Sequence, residues 1–141
     1  MSYHNNLKTT QMKALYLSLM LMFSALTTAL AADPIDRVAD LFAKGNTTEI
    51  GKLLAASVDI GILTDVDAHP KVHAEQMLQK FFTQNKPLSA KVLHRVTSNA
   101  TFNLAVISLT TDKGVYRVSC TLKDNKGVMQ LVEVRIEGEK K

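Results

Sequence analysis

The sequence predicts an α+β domain in which three N-terminal helices and a short strand pack on a curved four-stranded antiparallel meander. Three observations predict this class. Between residues 33 and 85, apolar residues recur three and four positions apart, which is the spacing of amphipathic helices. From residue 89 onward, apolar and polar residues alternate, which is typical of strands. Two turns that end in glycine, Asp112-Lys113-Gly114 and Asn125-Lys126-Gly127, separate the alternating segments.

Residues 1–31 have the features of a cleavable secretory signal peptide. Two lysines precede an uncharged stretch over residues 14–30, and Ala29 and Ala31 are the small residues that signal peptidase requires. We expect cleavage after Ala31, so that residues 32–141 form a single exported domain, periplasmic or secreted. The alternative is an uncleaved membrane anchor, for which the uncharged stretch is barely long enough.

The composition excludes several classes of function. The 141 residues carry a formal net charge of +4, and no basic run with interleaved aromatic residues is present, which argues against nucleic-acid binding. We expect no membrane association after signal cleavage. Cys120 is the only cysteine, so it cannot form an internal disulfide, and its apolar neighbours predict a buried, inert thiol.

Each of the three helices has a start or stop signal. Asp33-Pro34 supplies an N-cap acceptor followed by proline at the first helical position, and Gly45 can end that helix. Asn46 opens a second helix with capping-box spacing. Pro70 opens a third, which ends near Asn85.

The strands follow from alternation. A short strand is predicted over residues 58–62 between the second and third helices. The meander strands are predicted at Ser89–Val96, Thr101–Thr111, Val115–Lys123 and Val128–Glu137. Three-residue loops with glycine in the last, left-handed position would join the last three of them. This loop length turns even-numbered side chains from Phe102 to Ile136 toward the helices and odd-numbered ones away.

With that register, five polar side chains converge under the helices as a candidate small-molecule pocket: His94, Ser108, Thr110, Tyr116 and Gln130. A few polar groups in an apolar cavity are the usual composition of such a site, so a small apolar ligand is possible. The alternative is that His94 and Tyr116 are core residues that hydrogen-bond to each other or to the backbone. No cofactor is expected.

The same register places an apolar stripe on the outer face of the sheet, away from the helices: Leu93, Ala105, Ile107, Leu109 and Leu131. A sheet face exposed to water is normally polar, so contiguous apolar surface indicates a partner. We expect a homodimer through this face. Coverage by the chain's own termini, or by another envelope protein for which the domain is an assembly module, remains open.

Neither a metal site nor a catalytic site is predicted. Four residues at short spacing are weak metal candidates, namely Asp65, Asp67, His69 and His73, but an aspartate-rich turn is also an ordinary helix start. No serine or cysteine nucleophile with a paired histidine is evident, so a non-enzymatic function is expected. The alternative is an isomerase-like or dehydratase-like enzyme that uses His94 with Tyr116 or Gln130.

Several short stretches of the sequence are similar to those of a known protein family: Phe81-Phe82 with Asn85 and Pro87, Leu93-His94, Gly114-Val115-Tyr116-Arg117-Val118, Leu122-Lys123 and Arg135-Ile136-Glu137. On these, the chain resembles a small family of exported bacterial domains of unknown function with a nuclear transport factor 2-like (cystatin-like) fold. The resemblance implies a cone between sheet and helices, and proteins of this fold commonly dimerise through the sheet. It implies no catalytic residues, and the fold alone does not select a function. The prediction is an exported ligand-binding or dimeric interaction module.

Overall fold

The computed structural model of the protein describes residues 11–17 and 33–140. The chain divides into two compact units, Met1–Ala31 and Ala32–Lys141. In the first unit, residues 11–17 are helical. The predicted cleavage site at Ala31 lies outside the described residues. None of the helices within the described ranges has the length and apolar character needed to span a bilayer.

The second unit is an α+β domain with three helices and one mixed sheet. The helices are α1 (Pro34–Lys44), α2 (Thr47–Leu53) and α3 (Lys71–Gln84). The strands are β1 (Leu54–Ile62), β2 (Asp67–Pro70), β3 (Pro87–Asn99), β4 (Phe102–Thr111), β5 (Gly114–Asn125) and β6 (Val128–Gly138). They form one six-stranded sheet in the order β2-β1-β6-β5-β4-β3. The predicted class and meander are confirmed, whereas β2 was not predicted and β1 begins before the expected residue 58.

The helix starts form as the sequence predicts because each is decided by local hydrogen bonds. The Asp33 Oδ1 atom accepts a hydrogen bond from the Ile35 N–H at 2.8 Å, and Asn46 Oδ1 accepts one from the Glu49 N–H at 3.2 Å. Helix α3 follows Pro70 without a side-chain cap. Its last turn is completed by Asn85, whose N–H donates to the Phe81 carbonyl.

All three helices contribute side chains to one apolar core on a single face of the sheet. The side chains with less than 2% exposure include Phe42, Ile50, Leu78, Ile107, Leu109, Leu122 and Ile136. Strands β1, β4, β5 and β6 supply the sheet side of this cluster. Packed apolar side chains therefore occupy the space in which the sequence predicted a pocket.

The loop between β4 and β5 contains two residues instead of the predicted three. Thr111 opposes Gly114 across the hairpin, and its Oγ1 atom donates to the Gly114 carbonyl at 2.9 Å and accepts from the Lys113 N–H at 3.2 Å. One residue fewer in the loop reverses which side chains of β4 face the helices. The predicted register is therefore wrong for β4, where odd-numbered side chains face the core.

The loop between β5 and β6 also contains two residues, but a bulge in β6 compensates for the shift. Val132 is an extra residue between Leu131 and Glu133, which oppose consecutive residues of β5. Before the bulge the odd-numbered Leu131 faces the helices. After it the even-numbered Val134 and Ile136 face them, as predicted, and both are 0% exposed.

These registers overturn the predicted interface. Ala105, Ile107, Leu109 and Leu131 are each 0% exposed within the core, so they cannot form an outer dimerisation surface. Only Leu93 of that set is exposed, at 41%. The physical reason is that β4 is apolar on both faces, so alternation alone did not distinguish them. Its outer face consists of Phe102, Leu104, Val106, Ser108 and Thr110.

Candidate functional site

The structure does not gather the five predicted pocket residues under the helices. Only Tyr116 faces that side. Ser108 and Thr110 lie on the opposite, outer face of β4, because the register of that strand is reversed. His94 opposes Val106 and is exposed on the same outer face. Gln130 also lies there, where its Oε1 atom accepts a hydrogen bond from Asn125 Nδ2 at 3.1 Å.

Tyr116 is a partly buried residue packed against the core with its polar group satisfied, as the alternative above expects, but its partner is the Asn85 side chain and not His94 or the backbone. Its hydroxyl donates to Asn85 Oδ1 at 2.7 Å, and its ring meets the edge of Phe81 with centroids 5.1 Å apart. Asn85, only 8% exposed, donates in turn from Nδ2 to the Phe81 carbonyl at 3.0 Å. These bonds join β5 to the end of α3 and satisfy the phenol hydroxyl.

A groove of about 910 Å³ lies against the outer face of the sheet. Its floor is a row across three neighbouring strands, in which Ser108 opposes Arg117 and Arg117 opposes Glu137. The remaining lining residues come from the β1–β2 loop, β3, β5 and the C-terminal segment: Leu63, Thr64, Asp65, Leu93, Tyr116, Gly138, Glu139 and Lys140. Of the predicted pocket residues, Ser108 lines this groove from the outer face, and Tyr116 contributes to the lining although its ring turns toward the helices.

One wall of the groove depends on a close backbone approach at Gly61. A Cβ atom at this position would lie 2.8 Å from the Thr64 carbonyl oxygen and 2.9 Å from that of Asp65. Only glycine leaves room for the loop to fold back over β1 in this way. The loop between β1 and β2 therefore lies beside β6, at one side of the groove floor.

The same wall contains a strained residue. Leu63 has a φ of 60°, in the left-handed region, and its N–H donates to the Ile136 carbonyl at 2.8 Å. Holding a leucine in that conformation costs about 1–2 kcal/mol. The side chain is 55% exposed and lines the groove instead of the core. Strained backbone of this kind is concentrated at functional sites.

The opposite wall is formed by Leu93. It lies where the register of β3 shifts between Val92 and His94, so that it bulges out of the regular ladder. Two leucines from separate elements, Leu63 and Leu93, therefore flank the polar floor. Sequence analysis missed Leu63, and the only signal for it was an apolar residue at the junction of a strand and a polar turn.

The floor of the groove holds the guanidinium group of Arg117. Among the residues that the structure describes, Arg117 makes no ion pair and no side-chain hydrogen bond. Glu137 opposes Arg117 on β6, and its Oε1 atom lies 4.0 Å from Arg135 Nη1, an exposed contact at the outer limit of an ion pair. A free guanidinium between apolar walls can donate two parallel hydrogen bonds to a carboxylate or to a similar anion.

The weak metal candidates are only partly brought together. Asp65 lies in the groove wall, while Asp67 and His69 belong to β2 and His73 to α3. The Nδ1 atoms of His69 and His73 are 3.0 Å apart. Within residues 11–17 and 33–140, no group of three or more histidine, cysteine, aspartate or glutamate side chains is arranged to hold a metal ion.

Cys120 is buried in β5, at 1% exposure, as its apolar neighbours predict. Burial raises the pKa of its thiol to about 12. A thiol that stays protonated at neutral pH is neither a nucleophile nor a metal ligand. Cys120 therefore belongs to the packing and not to a site.

Comparison with protein families finds one match. The model of a family described as domain of unknown function (DUF4783) matches residues 35–137. Among curated proteins, none is significantly similar to the chain.

Several solved structures are similar to the chain. A DUF4783 family protein from Bacteroides uniformis is 25% identical with a TM-score of 0.72, over 77% of this chain and 100% of that one. A second DUF4783 family protein, from Bacteroides ovatus, is 25% identical with a TM-score of 0.69, over 74% of this chain and 94% of that one. A nuclear transport factor 2-like protein of unknown function from Shewanella baltica is 11% identical with a TM-score of 0.55, over 76% of this chain and 89% of that one. The last similarity concerns the fold alone.

Proposed function

The chain belongs to the DUF4783 family of domains of unknown function, and we propose that it is an exported, non-enzymatic binding module whose ligand site is the outer groove. The ligand class that fits is a small amphiphilic anion with one negative charge. The observation that carries this proposal is the Arg117 guanidinium, which has no partner within the described part of the chain and lies between the apolar side chains of Leu63 and Leu93. A volume of about 910 Å³ falls in the range of about 300–1,000 Å³ that is usual for small-molecule sites.

The charges of the groove favour a monoanion. Arg117 and Lys140 are the basic lining residues, and Asp65, Glu137 and Glu139 are the acidic ones. A single carboxylate can pair with Arg117, whereas a second negative charge on the ligand would meet the carboxylates of the wall and floor. An apolar tail can lie against the two leucines, where it removes their exposed surface from water.

The placement of His94 supports a function other than catalysis. The enzyme considered above pairs His94 with Tyr116 or Gln130. Tyr116 lies on the opposite face of the sheet, and Gln130 lies on the same face but on β6, with β5 and β4 between it and His94. An acid–base pair must share one substrate within hydrogen-bonding reach, which neither arrangement favours.

The test uses octanoate as the probe and octanol as its uncharged counterpart, with binding measured by calorimetry. Arg117→Gln should weaken octanoate binding roughly tenfold to a hundredfold, because a charge-assisted hydrogen bond contributes about 1.5–3 kcal/mol. Lys123→Gln is the matched control, since Lys123 is an exposed residue on the same strand and face with the same charge. Octanoate binding that is absent, or equally strong in Arg117→Gln, would contradict the proposal.

We also propose that the far end of the outer face is a contact between two copies of the chain. Its apolar residues are the half-buried Phe102 and Leu104 of β4 and the 53% exposed Val96 of β3, which lies alongside Leu104. The same face carries Arg135 and Glu133 on β6. Two copies related by a two-fold axis can therefore pair opposite charges around an apolar centre.

Light scattering on the purified chain tests this second proposal. Leu104→Lys should convert a dimer into a folded monomer, because it places a charge in the apolar centre. The control is Val72→Lys, since Val72 is 68% exposed on α3, on the other side of the sheet. A monomeric wild-type chain would overturn the proposal, as would a dimer that Leu104→Lys leaves intact.

A further inference from the structure

We propose that His69 and His73 form a surface site for a divalent transition-metal ion, separate from the groove and independent of its function. The Nδ1 atoms of the two imidazoles are 3.0 Å apart. Their rings meet edge to face, with centroids 4.7 Å apart and planes at 79°. His69 is half-buried and His73 exposed, so an ion can reach both.

The backbone around Pro70 holds the two imidazoles in this arrangement. His69 precedes a proline, which keeps it extended in β2, and it opposes Val58 of β1. His73 is in the first turn of α3, which is anchored in the core by Ala74 and Leu78, each 0% exposed. Both side chains therefore leave elements that are fixed by their own contacts, and binding needs no rearrangement of the chain.

The spacing of the two nitrogen atoms matches one class of metal geometry. With metal–nitrogen bonds of about 2.1 Å, a separation of 3.0 Å gives a nitrogen–metal–nitrogen angle of about 90°. That is the angle between neighbouring ligands in square-planar and octahedral complexes, whereas a tetrahedral ion needs about 3.4 Å between nitrogens at the same bond length. Square-planar and tetragonal nitrogen sites are typical of Cu²⁺ and Ni²⁺.

Without metal, the same short distance is a hydrogen bond, in which one neutral imidazole donates an N–H to the other. When the ion binds both Nδ1 atoms, the donor imidazole carries its proton on Nε2 instead, so both rings stay neutral and no net proton is released. The two histidines supply two ligands, and water fills the remaining coordination positions. A site with open positions exchanges its ion readily, unlike the closed four-ligand sites that stabilise folds.

Calorimetric titration of the full chain with Ni²⁺ tests the site. All variants carry His4→Gln, because a histidine close to the terminal amine can compete for the ion. In that background, His69→Gln and His73→Gln should each weaken Ni²⁺ binding about a hundredfold, since each removes the advantage of two linked ligands. His94→Gln is the matched control, because His94 is an exposed histidine on the outer face of the sheet. This substitution should leave the affinity for Ni²⁺ unchanged.

Two further measurements make the result independent of how well each variant folds. In the unsubstituted site, Cu²⁺ should bind more tightly than Ni²⁺, and Ni²⁺ more tightly than Zn²⁺. Paramagnetic Cu²⁺ should broaden the imidazole resonances of His69 and His73 before those of His94. Ni²⁺ binding weaker than about 1 mM would overturn the proposal. An equal loss of affinity in His94→Gln would overturn it as well.

Discussion

Cys120 is the residue whose chemistry depends most on its position. It opposes Ala105 on β4 and Val134 on β6, both 0% exposed, so its thiol has no access to water. Burial raises its pKa from about 9 to about 12, because the thiolate would lose its hydration. A cysteine protected in this way is shielded from oxidation and from disulfide exchange.

The free energy of unfolding should therefore fall at alkaline pH. Between pH 9 and 12 the unfolded chain loses the thiol proton while the folded protein keeps it, so rising pH favours unfolding by about 1.4 kcal/mol per pH unit. Urea denaturation at pH 8 and at higher pH checks this. Cys120→Ala should remove this contribution to the fall of the free energy of unfolding with pH. An equal fall in the wild-type chain and in Cys120→Ala would show that the thiol is not protected.

At the scale of single elements, loop length decides which face of a strand is buried. The caps at Asp33 and Asn46 were predictable because they depend on residues within one turn of each other. The orientation of β4 was not, because Leu104 and Val106 are as apolar as Ile107 and Leu109. Only the hairpin geometry distinguishes the two faces.

The groove was less predictable than the strands because it is assembled from distant segments. Arg117 and Ser108 appear in the sequence as ordinary strand residues, and their shared row depends on the register of β4 against β5. The wall depends on the left-handed Leu63 and on the close approach at Gly61, and neither has a signature in the residue types alone.

The β5–β6 hairpin offers a direct test of loop geometry. Lys126 and Gly127 have φ angles of 53° and 86°, as in a turn that prefers asparagine followed by glycine. Lys126→Asn should raise the free energy of unfolding by roughly 0.5–1 kcal/mol, because asparagine tolerates the left-handed conformation. Lys113→Asn is the matched control in the other hairpin, since Lys113 is not among the described residues with positive φ. Equal effects of the two substitutions would count against the observed turn.

For the whole molecule, the proposal of export predicts that the chain is cut before the folded unit. The second compact unit begins at Ala32, directly after the predicted cleavage position. Mass spectrometry of the protein from a bacterial periplasmic fraction should give a chain that begins at Ala32. Substitution of Ala31 by glutamate should block processing, because signal peptidase requires a small residue there. A membrane-bound chain that retains Met1 would indicate an anchor instead.

The position of the ligand site also concerns the whole molecule, because the helices cover one face of the sheet and the groove lies on the other. Methyl resonances of leucine can report on the two faces at once during titration with octanoate. Leu63 and Leu93 line the groove, and Leu109 and Leu122 are fully buried in the core. We predict shifts of the Leu63 and Leu93 methyl groups with the core methyl groups unmoved. Shifts confined to Leu109 and Leu122 would place the ligand under the helices and contradict an outer binding site.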